Sequence, residues 1–233
     1  MTISQKAAVG LGKLMCSVTE EILWQPAADW VLARSPGSHL ACRVGSGQAT
    51  YHRFDPRQKQ HQITYGKRMI MAKYQPEAAI SWLSGREIRQ YGYFGGRVTT
   101  LNLLAHTCCH EFAHLLQHVS GQRYRGSVHN RHFYRILDEL HSSGGAEATR
   151  RHLASQAEDA GVVLPDEQMQ PPDTRQLMTN WSVGDSVGFG AGKRQLEGTI
   201  IRVNRKTCTV EGTGPCRGLR YRVPVVLLSA LAD

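Results

Sequence analysis

The feature that most constrains this chain is the run His110-Glu111-Phe112-Ala113-His114, three ionisable side chains set in an apolar stretch. Leu103, Leu104, Ala105, Phe112, Ala113, Leu115 and Leu116 surround it, so a helix from Thr99 to Ser120 is apolar around most of its circumference and belongs at the centre of a core. Gly121 suits its C-terminal cap. Ionisable groups buried in such a helix cost free energy unless they are paired or ligated. Residues four apart share a helical face, so His110 and His114 can chelate one metal ion. Glu111, beside the first histidine, is placed to reach a water next to the metal rather than the metal itself, and to accept its proton during attack on a carbonyl. His106 and His118 extend the same row in both directions, but Thr107 and Leu115 stand where the base of either alternative pair would be. Both are expected to be hydrogen-bonded or half-exposed histidines, with a supporting role behind the ligands as the alternative for one of them.

A catalytic zinc takes a third protein ligand and keeps one position open. The candidates lie in Val128-His129-Asn130-Arg131-His132-Phe133. Phe133, Ile136, Leu137 and Leu140 recur at i, i+3, i+4 and i+7 and mark the buried face of a following helix. Projected at about 100° per residue, His129 falls near the middle of that face and His132 at its boundary. His129 is therefore the expected third ligand.

Around these segments the chain reads as α+β. Glu20 to Ala33 is helical, with Pro26 disturbing its first turns, and Gln75 to Tyr91 has helical spacing through Trp82 and Ile88. Leu40 to Tyr51 and Gln62 to Ala72, separated by the polar stretch Asp55 to Gln60, predict a small antiparallel sheet. Ala146 to Ala160 is rich in helix formers. Residues 161–180 carry Pro165, Pro171 and Pro172 with few large apolar groups and read as a linker, which divides the chain into domains over 1–160 and 181–233. The last segment alternates short β-rich runs with turns, from Val183-Gly-Asp-Ser-Val through Gly198-Thr-Ile-Ile-Arg-Val to Arg220-Tyr-Arg-Val, and ends in a short helical Val225 to Leu231. That is the pattern of a small all-β barrel.

Net charge is +9 with a pI near 9.5, which favours an acidic partner, and nucleic acid is the commonest. Lys193, Arg194, Arg202, Arg205, Lys206, Arg217, Arg220 and Arg222 make the final segment basic. Alternation puts Arg220 and Arg222 on one strand face, with Tyr221 and Trp181 as candidates for base stacking. Arg202, Arg205, Lys206, Arg220 and Arg222 are the expected phosphate contacts, against the plainer reading of a solvated outer face. No stretch is apolar enough for a membrane span, Met1 to Cys16 fails as a secretory leader, and the six cysteines include no C-x-x-C pair. The expectation is a cytoplasmic protein, free or associated with the nucleoid, with reduced thiols and no membrane partner.

The H-E-x-x-H helix, the polar loop and His129-Asn-Arg-His-Phe133 opening an apolar helix resemble the SprT-like metalloproteases, the group that includes Spartan. The resemblance spans about residues 62–141. It implies a zincin-type domain, Zn2+ held by His110, His114 and His129 with Glu111 as base, and hydrolysis of protein bound or crosslinked to DNA. Asn130 stands where the family usually has Gly, and a left-handed Asn would fill that role. The final segment resembles SH3-like barrels of the Tudor and KOW kind, which bind nucleic acid, peptides or other domains. Two other readings stay open: a regulatory protease whose barrel recognises one protein partner, and a non-catalytic nucleic-acid-binding protein with a structural zinc. An intact Glu111 argues against the last.

Overall fold

A computed structural model describes residues 3–79, 82–124, 126–170, 174–190 and 195–231, without the side chains of 77 and 78. Pro171, Pro172, Lys193 and Arg194 lie outside the described residues. The chain divides into two compact units, Met1–Met169 and Gln170–Asp233, and the fold is α+β. No helix among the described residues is long and apolar enough to cross a membrane.

The first unit opens with α1 (Gln5–Val18), a π turn over Thr19–Trp24 and α2 (Gln25–Arg34). Ser4 caps α1 by accepting from the Ala7 amide, and Ala8, Leu11, Met15 and Val18 form its buried stripe. Gly12 permits close packing on the sheet, since a Cβ there would lie 2.8 Å from Val44 Cγ2. Pro26 falls in the first turn of α2, directly after the π turn.

The strands β1 (His39–Gly45), β2 (Tyr51–Asp55) and β3 (Gln60–Gly66) form a sheet of order β1-β3-β2. β2 and β3 are an antiparallel hairpin whose turn is fixed by Asp55 Oδ1, which accepts from the Arg57 and Gln58 amides. β1 pairs parallel to β3, so the sheet is mixed rather than antiparallel as expected. Alternation specifies that a segment is a strand but not which edge it joins or in which direction it runs. The second half of the expected strand over 62–72 is instead α3 (Lys67–Ala72), which buries Met69 and Ile70.

Next come α4 (Pro76–Ala79), α5 (Leu83–Tyr91), and a left-handed Gly92 at φ 73° that ends α5. The central helix α6 (Thr100–Val119) is capped by Thr99, whose Oγ1 accepts from the Asn102 amide at 3.0 Å, and Gly121 follows its end at φ 68°. α7 (Arg131–Ser142) and α8 (Gly145–Asp159) pack against it, and β2, an edge strand, borders it on the sheet side.

Residues 161–169, read from sequence as the start of a linker, are bound to this unit. The Leu101 amide donates to Pro165 O, Met169 donates to Val98 O, and Asp166 takes bonds from Thr99 Oγ1 and Arg150. The division falls after Met169.

The second unit has α9 (Thr174–Thr179) and five strands, β4 (Ser186–Phe189), β5 (Leu196–Val203), β6 (Thr207–Gly212), β7 (Arg220–Pro224) and β8 (Leu228–Ala230). They form an antiparallel sheet of order β7-β6-β5-β4-β8. The expected terminal helix is a single 3-10 turn followed by β8, which completes the sheet by pairing with β4. Val187, Phe189, Ile200, Cys208, Val210 and Val223 make the core.

Candidate metal centre

His110 and His114, one turn apart on α6, point their Nε2 atoms at Nε2 of His129, at 3.1 and 3.2 Å. The spacing of donors around a tetrahedral ion with bonds of about 2.0–2.1 Å is of this size. Proton bookkeeping makes the same point. His110 Nδ1 lies 3.0 Å from Oε2 of Glu87, and a carboxylate can only accept, so the ring proton sits on Nδ1 and Nε2 is a bare lone pair. His114 Nδ1 lies 3.3 Å from Gln117 Oε1. The amide of Gln117 cannot be flipped, because its Nε2 donates to Val128 O at 2.9 Å and Asn130 Oδ1 at 3.2 Å; the His114 proton is therefore also on Nδ1. In neutral rings the Nε2 lone pairs of both His110 and His114 therefore face His129 Nε2. The three imidazoles are positioned to bind a metal ion.

His129 is not on the helix that was projected to carry it. It sits in the loop just before α7, and Asn130 is the N-cap, accepting from the His132 and Phe133 amides and donating to Gln122 O and Ser127 O. Asn130 has φ −87°, so it supplies hydrogen bonds and not the left-handed turn expected of it. His132 lies outside the site.

Behind the ligands, Glu87 on α5 is buried at 2% exposure and also meets His106 Nε2 at 2.9 Å. Burial alone would raise its pKa, but hydrogen bonds from His106 and His110 outweigh that and hold the carboxyl well below its ordinary range. His106 Nδ1 then faces His141 Nε2 at 3.1 Å, and the His141 ring stacks on Tyr93 with centroids 3.8 Å apart. Glu87, His106 and His110 also form a second close donor group, in which the contacts of 2.9 and 3.0 Å are satisfied as hydrogen bonds. His118 takes no part; its ring lies 4.7 Å from Phe54, near His52 and His61.

The centre opens into a cleft of about 290 Å³ whose walls include Tyr51 and His52 of the sheet edge, Lys73, Glu111 and Arg123. Glu111 is 6% exposed, and burial raises its pKa, offset in part by His110, Arg123 and a backbone hydrogen bond from His52. Burial also lowers His114 to about 3 and lowers His129, so these ligands stay neutral. Lys73, buried and bonded to Ser84, is drawn down to about 7 by desolvation, against the pull of Glu87. A larger hollow of about 520 Å³ between the π turn, α6 and α7 is mainly apolar and lacks a comparable donor set.

In the second unit Arg202, Thr209 and Arg222 are cross-strand neighbours, brought into line by a bulge after Ile200. All of Arg202, Arg205, Lys206, Arg220 and Arg222 are exposed. Arg220 pairs with Glu211 at 3.4 Å, and Arg222 Nε donates to Thr207 Oγ1 at 3.2 Å. The aromatics are spent differently from the expectation: Tyr221 packs on Phe189 with centroids 5.0 Å apart, and Trp181 also packs against the core.

Glu87, Gln117, Arg123 and His52 were not singled out from sequence. Gln117 had a signal, being three residues after His114 on the same helical face, whereas Glu87 lies on another element and reaches the site only through the fold. Comparison with known proteins adds nothing to this picture, since no family model, no curated protein and no solved structure matches the chain.

Proposed function

We propose that the chain is a zinc-dependent endopeptidase of the SprT-like kind. The observation that carries this reading is the pairing of three converging imidazole nitrogens with a desolvated carboxylate, Glu111, at the open wall of the same cleft. An all-nitrogen set of three beside an open cleft would suit Zn2+, with His110, His114 and His129 holding it and the cleft admitting water and substrate. When bound, the ion supplies Lewis acidity and lowers the pKa of water. Glu111 takes the proton of the attacking water and returns it to the departing amine; its raised pKa matches that exchange. Glu87 and Gln117 hold the ligand rings in the tautomer that leaves Nε2 bare.

The exposed arginine row of the second unit supports a role in bringing this activity to protein bound or crosslinked to DNA, through phosphate contact without base stacking. A peptidase whose second unit recognises one protein partner is the competing reading. A structural zinc leaves the buried Glu111 at the cleft wall without a use.

The experiment is metal analysis with casein or histone cleavage, with and without DNA, for wild type and Glu111→Gln. The variant should keep one zinc per chain and lose about 100- to 10,000-fold in rate. Near-normal cleavage by it, or no metal in the wild type, removes the reading. Stimulation by DNA of cleavage of DNA-bound protein alone favours delivery over a dedicated protein partner.

A further inference from the structure

In water-mediated amide hydrolysis the carbonyl oxygen becomes anionic as its carbon becomes tetrahedral, and a preorganised donor aimed at it is worth about 100- to 1000-fold in rate. Several groups bordering the cleft already bond within the protein. Lys73 Nζ is bonded to Ser84, Thr107 Oγ1 donates to Leu103 O at 2.7 Å, and the His52 ring lies between Arg123 and His61. Arg123 differs. Its Nη1 donates to His52 Nδ1 at 2.8 Å and to His52 O at 3.3 Å, and no described residue takes the protons of Nε or Nη2. It forms no ion pair within 4.0 Å among the described residues.

We propose that Arg123 is the oxyanion donor of this site, its unspent guanidinium N–H groups bonding the scissile carbonyl oxygen as charge develops there. The inference rests on the peptidase reading above. A partly buried arginine needed only for architecture is ordinarily matched by a carboxylate, which would cancel its field in the cleft. Here the hydrogen-bonded partner is a buried imidazole, 3% exposed and kept neutral, which fixes the guanidinium in place, while Glu111 acts on it only through space. The His52 ring is itself oriented, with Nε2 3.1 Å from His61 Nδ1. The His52 backbone also helps hold the Glu111 carboxyl down against burial, so one residue of β2 acts on both the base and the cation. The balance of the step is simple: the C–O π electrons move to oxygen as the water oxygen bonds carbon, Glu111 takes the water proton, and Arg123 donates hydrogen bonds without losing a proton. Collapse breaks the C–N bond as the amine receives the proton from Glu111.

The test uses the full zinc-loaded chain as wild type, Arg123→Ala and Arg123→Lys. Two probes of matched side chains are compared, a phosphinic pseudopeptide that presents a tetrahedral anion and a planar hydroxamate peptide. Arg123→Ala should bind the phosphinate about 100-fold more weakly and lose about 100-fold in kcat, with KM and hydroxamate affinity changed less than about threefold and zinc content unchanged. Added guanidinium ion should restore part of the kcat. Arg123→Lys, which keeps a donor toward His52 O, should fall between, and it carries the test if the alanine variant does not fold. Equal loss of both probes, or loss of zinc with the activity, makes Arg123 structural and overturns the proposal. A wild type that binds neither probe and cleaves no peptide sinks the peptidase reading and this assignment together; a wild type that does both while the variants match it sinks the assignment alone.

Discussion

The two units place their polar side chains under different constraints. In the first, the ring nitrogens of His110 and His114 that turn away from the metal centre are each bonded by a buried partner, Glu87 or Gln117, and Gln117 also holds the loop that brings in His129. In the second, Arg202, Arg220 and Arg222 stand exposed on a sheet face, where Arg220 and Arg222 make surface contacts to Glu211 and Thr207. Shared partners couple residues, whereas separate solvated ones act additively. Substitutions around the histidines should therefore be large and non-additive in effect, and those on the arginine face small and additive.

The largest expected effect is at His129. Structural zinc sites share about 10–16 kcal/mol among four ligands, so His129→Ala should weaken metal binding by about 100- to 1000-fold in a chelator competition. Full retention of affinity would break the contrast at its strongest point and return the third ligand to another residue. Gln117→Leu comes next. It frees the His114 proton and the Val128 to Asn130 loop together, and metal affinity should fall about 10- to 100-fold; an effect below twofold would show that the loop holds itself.

A pH dependence should separate the units next. His52 and His141 are pushed down to about 2 and about 3, chiefly by burial, from an ordinary value of 6.5. Below pH 6.5 the unfolded chain takes up protons that the folded chain refuses, so stability is full above that pH and falls as pH drops toward the folded values. The ceiling is about 1.4 kcal/mol per pH unit for each residue. Urea unfolding of the metal-free protein at pH 7 and pH 5 should show the loss, with a smaller slope in His141→Phe. Residues 170–233 contain no histidine, so a second-unit transition with the same slope would refute the assignment.

The smallest effects belong to the arginine face. If it contacts phosphates, each of Arg202→Ala, Arg220→Ala and Arg222→Ala should reduce the salt slope of DNA binding by about one, roughly additively, with the zinc untouched. A single variant that abolishes binding would mean a specific pocket rather than a charged face.

How far the chain was legible follows the reach of each signal. The helix from Thr100 to Val119 was readable because its cap, apolar surround and C-terminal glycine are all local. α1 was equally readable, with Ala8, Leu11, Met15 and Val18 at helical spacing, yet Gly10 and Gly12 masked it as a broken stretch. Gly12 is there for contact with Val44, which no local rule reveals. Pro165 was taken for linker punctuation although its carbonyl closes a bond to Leu101.

What the sequence determined by itself is the chelating pair with its adjacent carboxylate, since spacing of four on a helix sets direction within one element. The strand candidates and the basic character of the last segment follow from composition and period in the same way. Only the tertiary structure decided that β1 runs parallel to β3, that Glu87 and Gln117 hold the histidine tautomers, and that Arg123 is held by the neutral ring of His52. It also decided that His129 arrives from a capped loop and that Tyr221 faces the core. The reason is common to all of these: strand partners and buried hydrogen bonds are chosen between segments distant in the chain, by which surfaces and unpaired polar groups remain once the apolar faces have been covered.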